Sequence, residues 1–425
     1  MTSTNVRTKI EKGKIFEDNQ EVCPVSSLSK NTELTMLNKG VIDIFKKVSS
    51  GEDVRLVNLD IVRDNFRKLR QAFSHAIPFI AVKANSSEGI LETLDKEGSS
   101  YEVATIEELK SCLDKGIDPH KILFSHPAKD RVEIAEAYRL GVNKYVSDSE
   151  EDLGLIAQHA PGSEVLVRLR TANTDKDGDS LTGFNDRFGV NAEQAKFMLG
   201  EASRMGLSAS GLAFHVGTQQ ENVDSWDATI KMSADIFKEM SQKGMSLKYL
   251  DIGGGFPSRY KPGLPEYAEY GEAIHASLRE HFKDDLPKIL YEPGRSVSAT
   301  AGLTVGRVIN VKHNFERAIV TLSTGRFSAG LFNVGNGMAF YRLSEDGDVT
   351  NLSKDKPHVL ADVYGKACAS FDTPVEGDDV SVPENLKSGD IVVFSGTGAY
   401  SGEMVTNWCS KEPPRTITYD TNDIA

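Results

Sequence analysis

At 425 residues the chain exceeds the ~250–300 at which single cores stop growing, so more than one domain is expected. Its 39% hydrophobic and 26% charged residues exclude a disordered chain, and its net charge of -13 argues against a nucleic-acid partner, which needs clustered positive charge. No segment approaches the ~20 apolar residues that span a bilayer, which argues against a membrane partner.

Residues 1–53 form a polar leader, part of which is expected to join a β domain further on. Its opening MTSTNVRTKIEKGKIFEDNQ lacks the apolar stretch of a secretory signal and mixes acids with bases, unlike a transit peptide, so the cytosol is the expected compartment. From residue 54 short β-rich runs alternate with helical ones: VRLVNLD precedes IVRDNFRKLRQAF, IPFIAVKAN precedes SEGILETLDKEG, YEVAT precedes IEELKSCLDKG, and KILFSH precedes DRVEIAEAYRLG. VNKYVSD, EVLVRLR, LAFHVG, LKYLDIGG and PKILYEPG continue the rhythm. Strands spaced by helix-length segments imply βαβ units, and nearly unalternating apolar strands imply burial on both sheet faces. About eight repeats favour a closed (β/α)8 barrel over residues 54–301. From 302 to 425 the strand-like runs VGRVINVKHN, RAIVTLS, HVLADVYG and DIVVFSG follow one another without comparable helices, which predicts a mainly β second domain. Segments 171–185 and 343–356, rich in Ser, Asn and Asp, are read as surface loops. Cys23, Cys112, Cys368 and Cys409 show no metal-ligand spacing and are too sparse for a disulfide scaffold, so no metal is expected and the thiols are read as reduced and mostly buried.

A barrel gathers its chemistry at the C-terminal strand ends. Lys83, Arg168, His215, the Gly253–Gly255 run and Glu292 each fall at or just beyond a predicted strand. Lys83 lies in the apolar run FIAVKAN, where an ammonium needs a partner, a lowered pKa or a covalent aldehyde; lysine is also the residue that binds pyridoxal phosphate covalently. A paired or snorkelling lysine satisfies the same position. Gly253, Gly254 and Gly255 let backbone N–H groups approach a phosphate, or simply make a tight turn. In YEPGR, Glu292 can keep a pyridine nitrogen protonated and Arg295 can clamp phosphate oxygens, or the two can pair with each other. His215 can offer a flat ring face or sit as a core histidine. Arg326 can meet a substrate carboxylate or make a surface ion pair. Cys368, with no histidine nearby, can donate a proton as a neutral thiol. Tyr400, in a glycine-flexed loop, can donate to phosphate or pack as an aromatic.

The ordered set AVKAN, HVGTQ, LDIGGGFP, YEPGR, ACASFD and GTGAY resembles the alanine-racemase-like fold of pyridoxal-phosphate decarboxylases, the ornithine, lysine and diaminopimelate decarboxylase group, over about residues 54–412. The resemblance implies pyridoxal 5'-phosphate as cofactor, an α-decarboxylase (a carbon–carbon lyase) as activity, and an amino-acid-like substrate, free, conjugated or carrier-tethered. It implies Lys83 as the cofactor lysine, His215 stacked on the ring, Glu292 facing the pyridine nitrogen, and Arg168 below the ring. Arg295, Thr218, Gly253, Gly254, Gly255 and Tyr400 would surround the phosphate. The family often has aspartate where Glu102 stands, so Glu102 is expected to reach the lysine or cofactor with a longer arm, with Glu108 as further support. Cys368 matches a thiol that enters the neighbouring protomer's pocket and reprotonates Cα, which implies a homodimer with shared sites. Where relatives carry an acid after that cysteine this chain has Ala369; Gly-Pro-Thr before it is replaced by Gly365, Lys366 and Ala367; and the segment expected to hold a second acid offers Asn333 and Asn336. With these changes, and Lys366 and Arg326 nearby, ornithine and lysine are expected to be poor substrates. Two alternatives remain: a racemase on the same barrel, and a non-catalytic homologue that pairs with and inhibits an active decarboxylase.

Overall fold

The computed structural model describes residues 8–11, 14–17, 20–22, 52–171, 187–260, 263–314, 317–331, 340–343, 349–351, 357–375, 380–410 and 412–421. Eight parallel strands close a barrel: Ala76–Ala81, Ser100–Val103, Ile122–Phe124, Lys144–Ser147, Glu164–Arg168, Ser208–Ala213, Tyr249–Asp251 and Lys288–Tyr291, the last pairing with the first through Leu290 and Ile77. Side chains alternate across a strand, and both faces here are buried. Phe79, Leu123, Val146, Leu166, Ala213 and Leu290 fill the lumen, while Ile80, Tyr101, Phe124, Tyr145, Val165 and Val167 face the surrounding helices. That double burial explains the continuous apolar runs in the sequence.

The helices show local reasons for their limits. Asn58 caps Leu59–Ala72 by accepting from the N–H groups of Asp60 and Ile61, and Val62, Phe66 and Leu69 make its buried stripe. Asp130 and Glu133 form a reciprocal capping box at the start of Arg131–Arg139.

The run VRLVNLD departs from expectation. Its strand, Val54–Asn58, is wholly buried but lies in the second domain's sheet, antiparallel to Gly302–Val305 and parallel to Arg415–Tyr419. The barrel had already closed without it, leaving no edge for a ninth strand. The expected boundary at residue 54 is therefore corrected: the chain crosses to the barrel at helix Leu59–Ala72. Leader strands Thr8–Glu11, Lys14–Glu17 and Gln20–Val22 pair with one another and, among the described residues, not with the second domain.

The second domain is a nine-stranded, mainly antiparallel sheet organised on the long strand Gly302–His313. The first half of that strand pairs with Ile391–Ser395, and its second half with Ala318–Leu322. Val308, Val320, Leu322, Val363, Val392 and Phe394 form one of its cores. Segment 172–186 lies outside the described residues, as does most of 343–356; within the latter, Val349–Asn351 is a strand rather than a loop, paired with Phe340–Leu343. Among the described residues, no helix is long and apolar enough to cross a membrane and no three side chains are grouped to hold a metal.

Candidate active site

Strand parity builds the site. Leu123, Leu166, Ala213 and Leu290 point into the lumen, so the residues two positions further, Ser125, Arg168, His215 and Glu292, are set one layer nearer the C-terminal mouth. Glu102 lies between the outward-facing Tyr101 and Val103, and Asp251 follows the outward-facing Leu250, so both also point inward. The apolar plug is thus capped by a polar ring, and Lys83, in the single turn Val82–Ala84 after the first strand, stands among it.

Lys83 Nζ donates to Glu102 Oε2, whose other oxygen accepts from Ser125 Oγ. Burial alone would push the Lys83 ammonium down, but the ion pair with Glu102, the largest opposing interaction, leaves it raised. Burial drives His215 down to about 3, helped by Arg168 and Lys83, so its imidazole is neutral. Its Nδ1 accepts from the Gly217 N–H at 3.0 Å, which puts the ring proton on Nε2. Burial, reinforced by Asp251 and Glu102, pushes Glu292 well above the usual carboxylate range. Asp251 rises to about 6, again through burial, while its Oδ1 accepts from Gly253 N–H at 2.9 Å. Glu108 is likewise pushed up to about 6 by burial and caps the Ala104 N–H at 2.6 Å.

A small cavity, partly open to solvent, brings together Lys83, His215, Thr218, Gly255, Glu292, Arg295 and Tyr400. Gly253 and Gly255 adopt φ of +67° and +100°, and a Cβ on Gly254 would stand 2.5 Å from the Glu292 carbonyl oxygen, so the turn beside the cavity requires glycine. The Arg295 guanidinium lies 4.6 Å from the Tyr400 ring centre, and its buried Nε has no hydrogen-bond partner among the described residues. Tyr400 is held by its own N–H to the Ala84 carbonyl, 2.7 Å, and Asn85 donates to the Gly398 carbonyl at 2.7 Å; the second domain thereby forms one wall of the barrel mouth. An amine, a neutral histidine, a protonated carboxyl and an arginine with an unused donor fit an aromatic aldehyde phosphate. A groove between outer helices Ala192–Arg204 and Asp227–Gln242 offers Lys196 and Glu239 already paired at 2.7 Å, and no such chemistry.

Other expected residues lie elsewhere. Cys368 is exposed on the turn after strand His358–Tyr364, with Lys366 exposed and Ala369 half-buried beside it, and none of the three lines the Lys83 cavity. Arg326 opens the short helix Arg326–Ala329 in the same domain and also lies outside that cavity. Asn333 and Asn336 are outside the described residues. The expectation of mostly buried thiols is corrected: Cys112 is buried, but Cys368, on a turn, and Cys409, in the short 3-10 helix Trp408–Ser410, are exposed at the surface of the β domain. Cys23 is outside the described residues.

Three functional neighbours had no distinguishing local signal. Ser125 holds Glu102. Arg55, buried on Val54–Asn58 and lowered to about 10 by burial, donates to the carbonyls of Ala329 and Ser401 at 2.6 and 2.8 Å, tying down the short helix that begins at Arg326 and the loop that carries Tyr400. Asp372 is fully buried and accepts from Ala367 N–H at 2.9 Å, and Cβ atoms on Gly325 or Gly365 would collide with its carboxylate. It therefore shapes the turn that exposes Cys368. Asp372→Ala is expected to destabilise the chain by about 2 kcal/mol, since the part-buried N–H groups of Ala367 and Phe327 lose their acceptor. The urea unfolding midpoint measures this; an unchanged midpoint would contradict the anchoring role.

A closed parallel barrel, a lysine in its polar mouth and a β-sheet companion define the alanine-racemase-like class of pyridoxal-phosphate enzymes. Residues 59–299 match the family described as pyridoxal-dependent decarboxylase, pyridoxal binding domain, and the chain belongs to that family. It is 29% identical over 354 residues to the lysine/ornithine decarboxylase of Selenomonas ruminantium, covering 83% of this chain and 86% of that one. It is 30% identical over 340 residues to the chloroplastic ornithine decarboxylase of Nicotiana glutinosa, covering 78% and 75%. The crystal structure of lysine decarboxylase from Selenomonas ruminantium superposes with a TM-score of 0.79 at 26% identity, covering 90% of this chain and 96% of that one. The chain is a pyridoxal 5'-phosphate-dependent decarboxylase, a carbon–carbon lyase acting on a small amino-acid-like substrate.

Proposed function

We propose that the substrate is an α-amino acid or conjugate whose far end is neutral or acidic rather than the bare ammonium of ornithine or lysine, and that two chains pair so that each lends Cys368 to the other's barrel. One observation carries the substrate reading: the sole acid of GKACASFD, Asp372, is fully buried and occupied by backbone N–H groups, while Lys366 is exposed on the same turn. A distal ammonium brought there would meet no available carboxylate on this turn, and an unpaired buried charge is strongly disfavoured. The exposure of Cys368, away from the cavity of its own chain, supports the shared site.

Bound pyridoxal phosphate supplies an electron sink for the bond to the departing carboxylate. Lys83 holds the cofactor, and Arg295, Tyr400, Thr218 and the Gly253–Gly255 turn hold its phosphate. The proton that burial keeps on Glu292 serves the pyridine nitrogen. Neutral His215 gives the ring a flat face without placing a second cation beside Lys83. Arg168, at the end of the strand Glu164–Arg168, would support the cofactor's ring with its guanidinium. Cys368 of the partner chain delivers the proton to Cα.

Side-by-side turnover tests the substrate. Ornithine and lysine are expected to show kcat/KM at least about 10-fold below that of amino acids with neutral, acidic or acylated side chains. High efficiency on ornithine or lysine, with no gain on the modified acids, defeats the proposal.

A further inference from the structure

Three successive barrel strands each end in one member of a chain of contacts. Lys83 follows the strand Ala76–Ala81, Glu102 sits in Ser100–Val103, and Ser125 immediately follows Ile122–Phe124. Glu102 and Ser125 are 1% and 6% exposed, and the Ser125 N–H donates to the Val103 carbonyl at 3.0 Å, which fixes the serine against the strand that carries Glu102. One Glu102 oxygen accepts from Lys83 Nζ and the other from Ser125 Oγ, so the carboxylate is held at both ends. A glutamate has one more rotatable bond than an aspartate, and such a longer arm stays aimed only if something pins it.

We propose that Ser125 is a positioning residue that aims the Glu102 carboxylate at the Lys83 nitrogen and so sets how tightly that nitrogen keeps its proton. The inference rests on Lys83 being the cofactor lysine. Charge placement decides the outcome. The Lys83 nitrogen is faced by Glu102, its ion-pair partner, which favours its proton, and by Glu292 and Tyr400, which burial keeps protonated, with His126, His215 and Glu108 within its electrostatic reach and Arg168 on the opposite side of the lumen. Glu102 is the strongest of the favourable partners. Coulombic attraction in this partly desolvated mouth falls steeply as the carboxylate swings away, and no other described hydrogen bond holds Glu102 in place. Without the hydroxyl, the buried oxygen it served is unsatisfied, which itself drives the side chain to a new rotamer.

The test is a pH titration of the visible absorption of the full-length, cofactor-loaded chain, with borohydride fixation and peptide mapping to show the cofactor on position 83. Ser125→Ala is expected to lower the midpoint at which the Lys83 nitrogen loses its proton by about one pH unit, a roughly ten-fold weaker hold. Ser125→Thr, which keeps a hydroxyl, is expected to stay within about 0.3 unit of the parent. Should the alanine variant not fold, Ser125→Cys fills the same space with a weak donor and is expected to show a fall in the same direction. A parent-like midpoint in Ser125→Ala or Ser125→Cys, with the cofactor still fixed at position 83, overturns the inference and leaves the cofactor reading intact. An equal fall in Ser125→Thr also overturns it. Absence of fixation at position 83 in the parent chain defeats the cofactor reading, and the inference with it.

Discussion

Lys83→Ala is expected to abolish the visible absorption of the bound cofactor and to lower turnover by ~10³-fold or more, because the variant loses the amine that the entire polar ring surrounds. The lost ammonium also leaves Glu102 without its ion-pair partner in a buried site. Part of any loss could therefore come from misplaced acids, and two measurements separate the causes. The spectrum reports the covalent attachment, while the far-ultraviolet circular dichroism and unfolding midpoint report the barrel. A folded variant with parent-like spectrum and rate would remove Lys83 from the mechanism.

The second large effect is a rescue. Cys368→Ala and Lys83→Ala chains are each expected to be nearly inactive alone, yet to recover about a quarter of the parent rate when unfolded together and refolded at equal ratio. Random pairing in a two-fold dimer makes half of the dimers mixed. Each mixed dimer has one site with both residues intact and one with neither, which gives the quarter. Recovery requires that the cysteine of one chain serve the lysine of another. No recovery, with dimers demonstrated by sedimentation, would place Cys368 in its own chain's site or outside catalysis. Arg326 and Lys366, which lie in the same domain as Cys368, would then lose their assigned route to the substrate.

The succession of short, continuously apolar strands and helix-length runs made much of the barrel legible, because lumen and helix layer are both apolar. What the runs do not encode is which sheet each one joins. Val54–Asn58 is as buried as a barrel strand, and only the closure of the other eight excludes it. The residues proposed to hold the cofactor stood out where chemistry is rare: a lysine in an apolar run, three consecutive glycines, and Glu-Pro-Gly-Arg. Ser125, Arg55 and Asp372 did not, since a serine after a strand, an arginine in a strand and an aspartate in a turn are ordinary residues until long-range contacts give them a task. Arg55 reaches loops far along the chain, and no local pattern announces such a partner.

The strand Val54–Asn58 also has a consequence for biosynthesis. It emerges early from the ribosome, but its two neighbours, Gly302–Val305 and Arg415–Tyr419, are made after the whole barrel and at the extreme end of the described chain. Until then its hydrogen-bonding edges stay unfilled, an exposure that invites aggregation in a nascent polypeptide. Tyr400 and the Asn85–Gly398 clasp arrive equally late. The wall that Tyr400 and Gly398 lend to the barrel mouth is therefore missing until the second domain has been made.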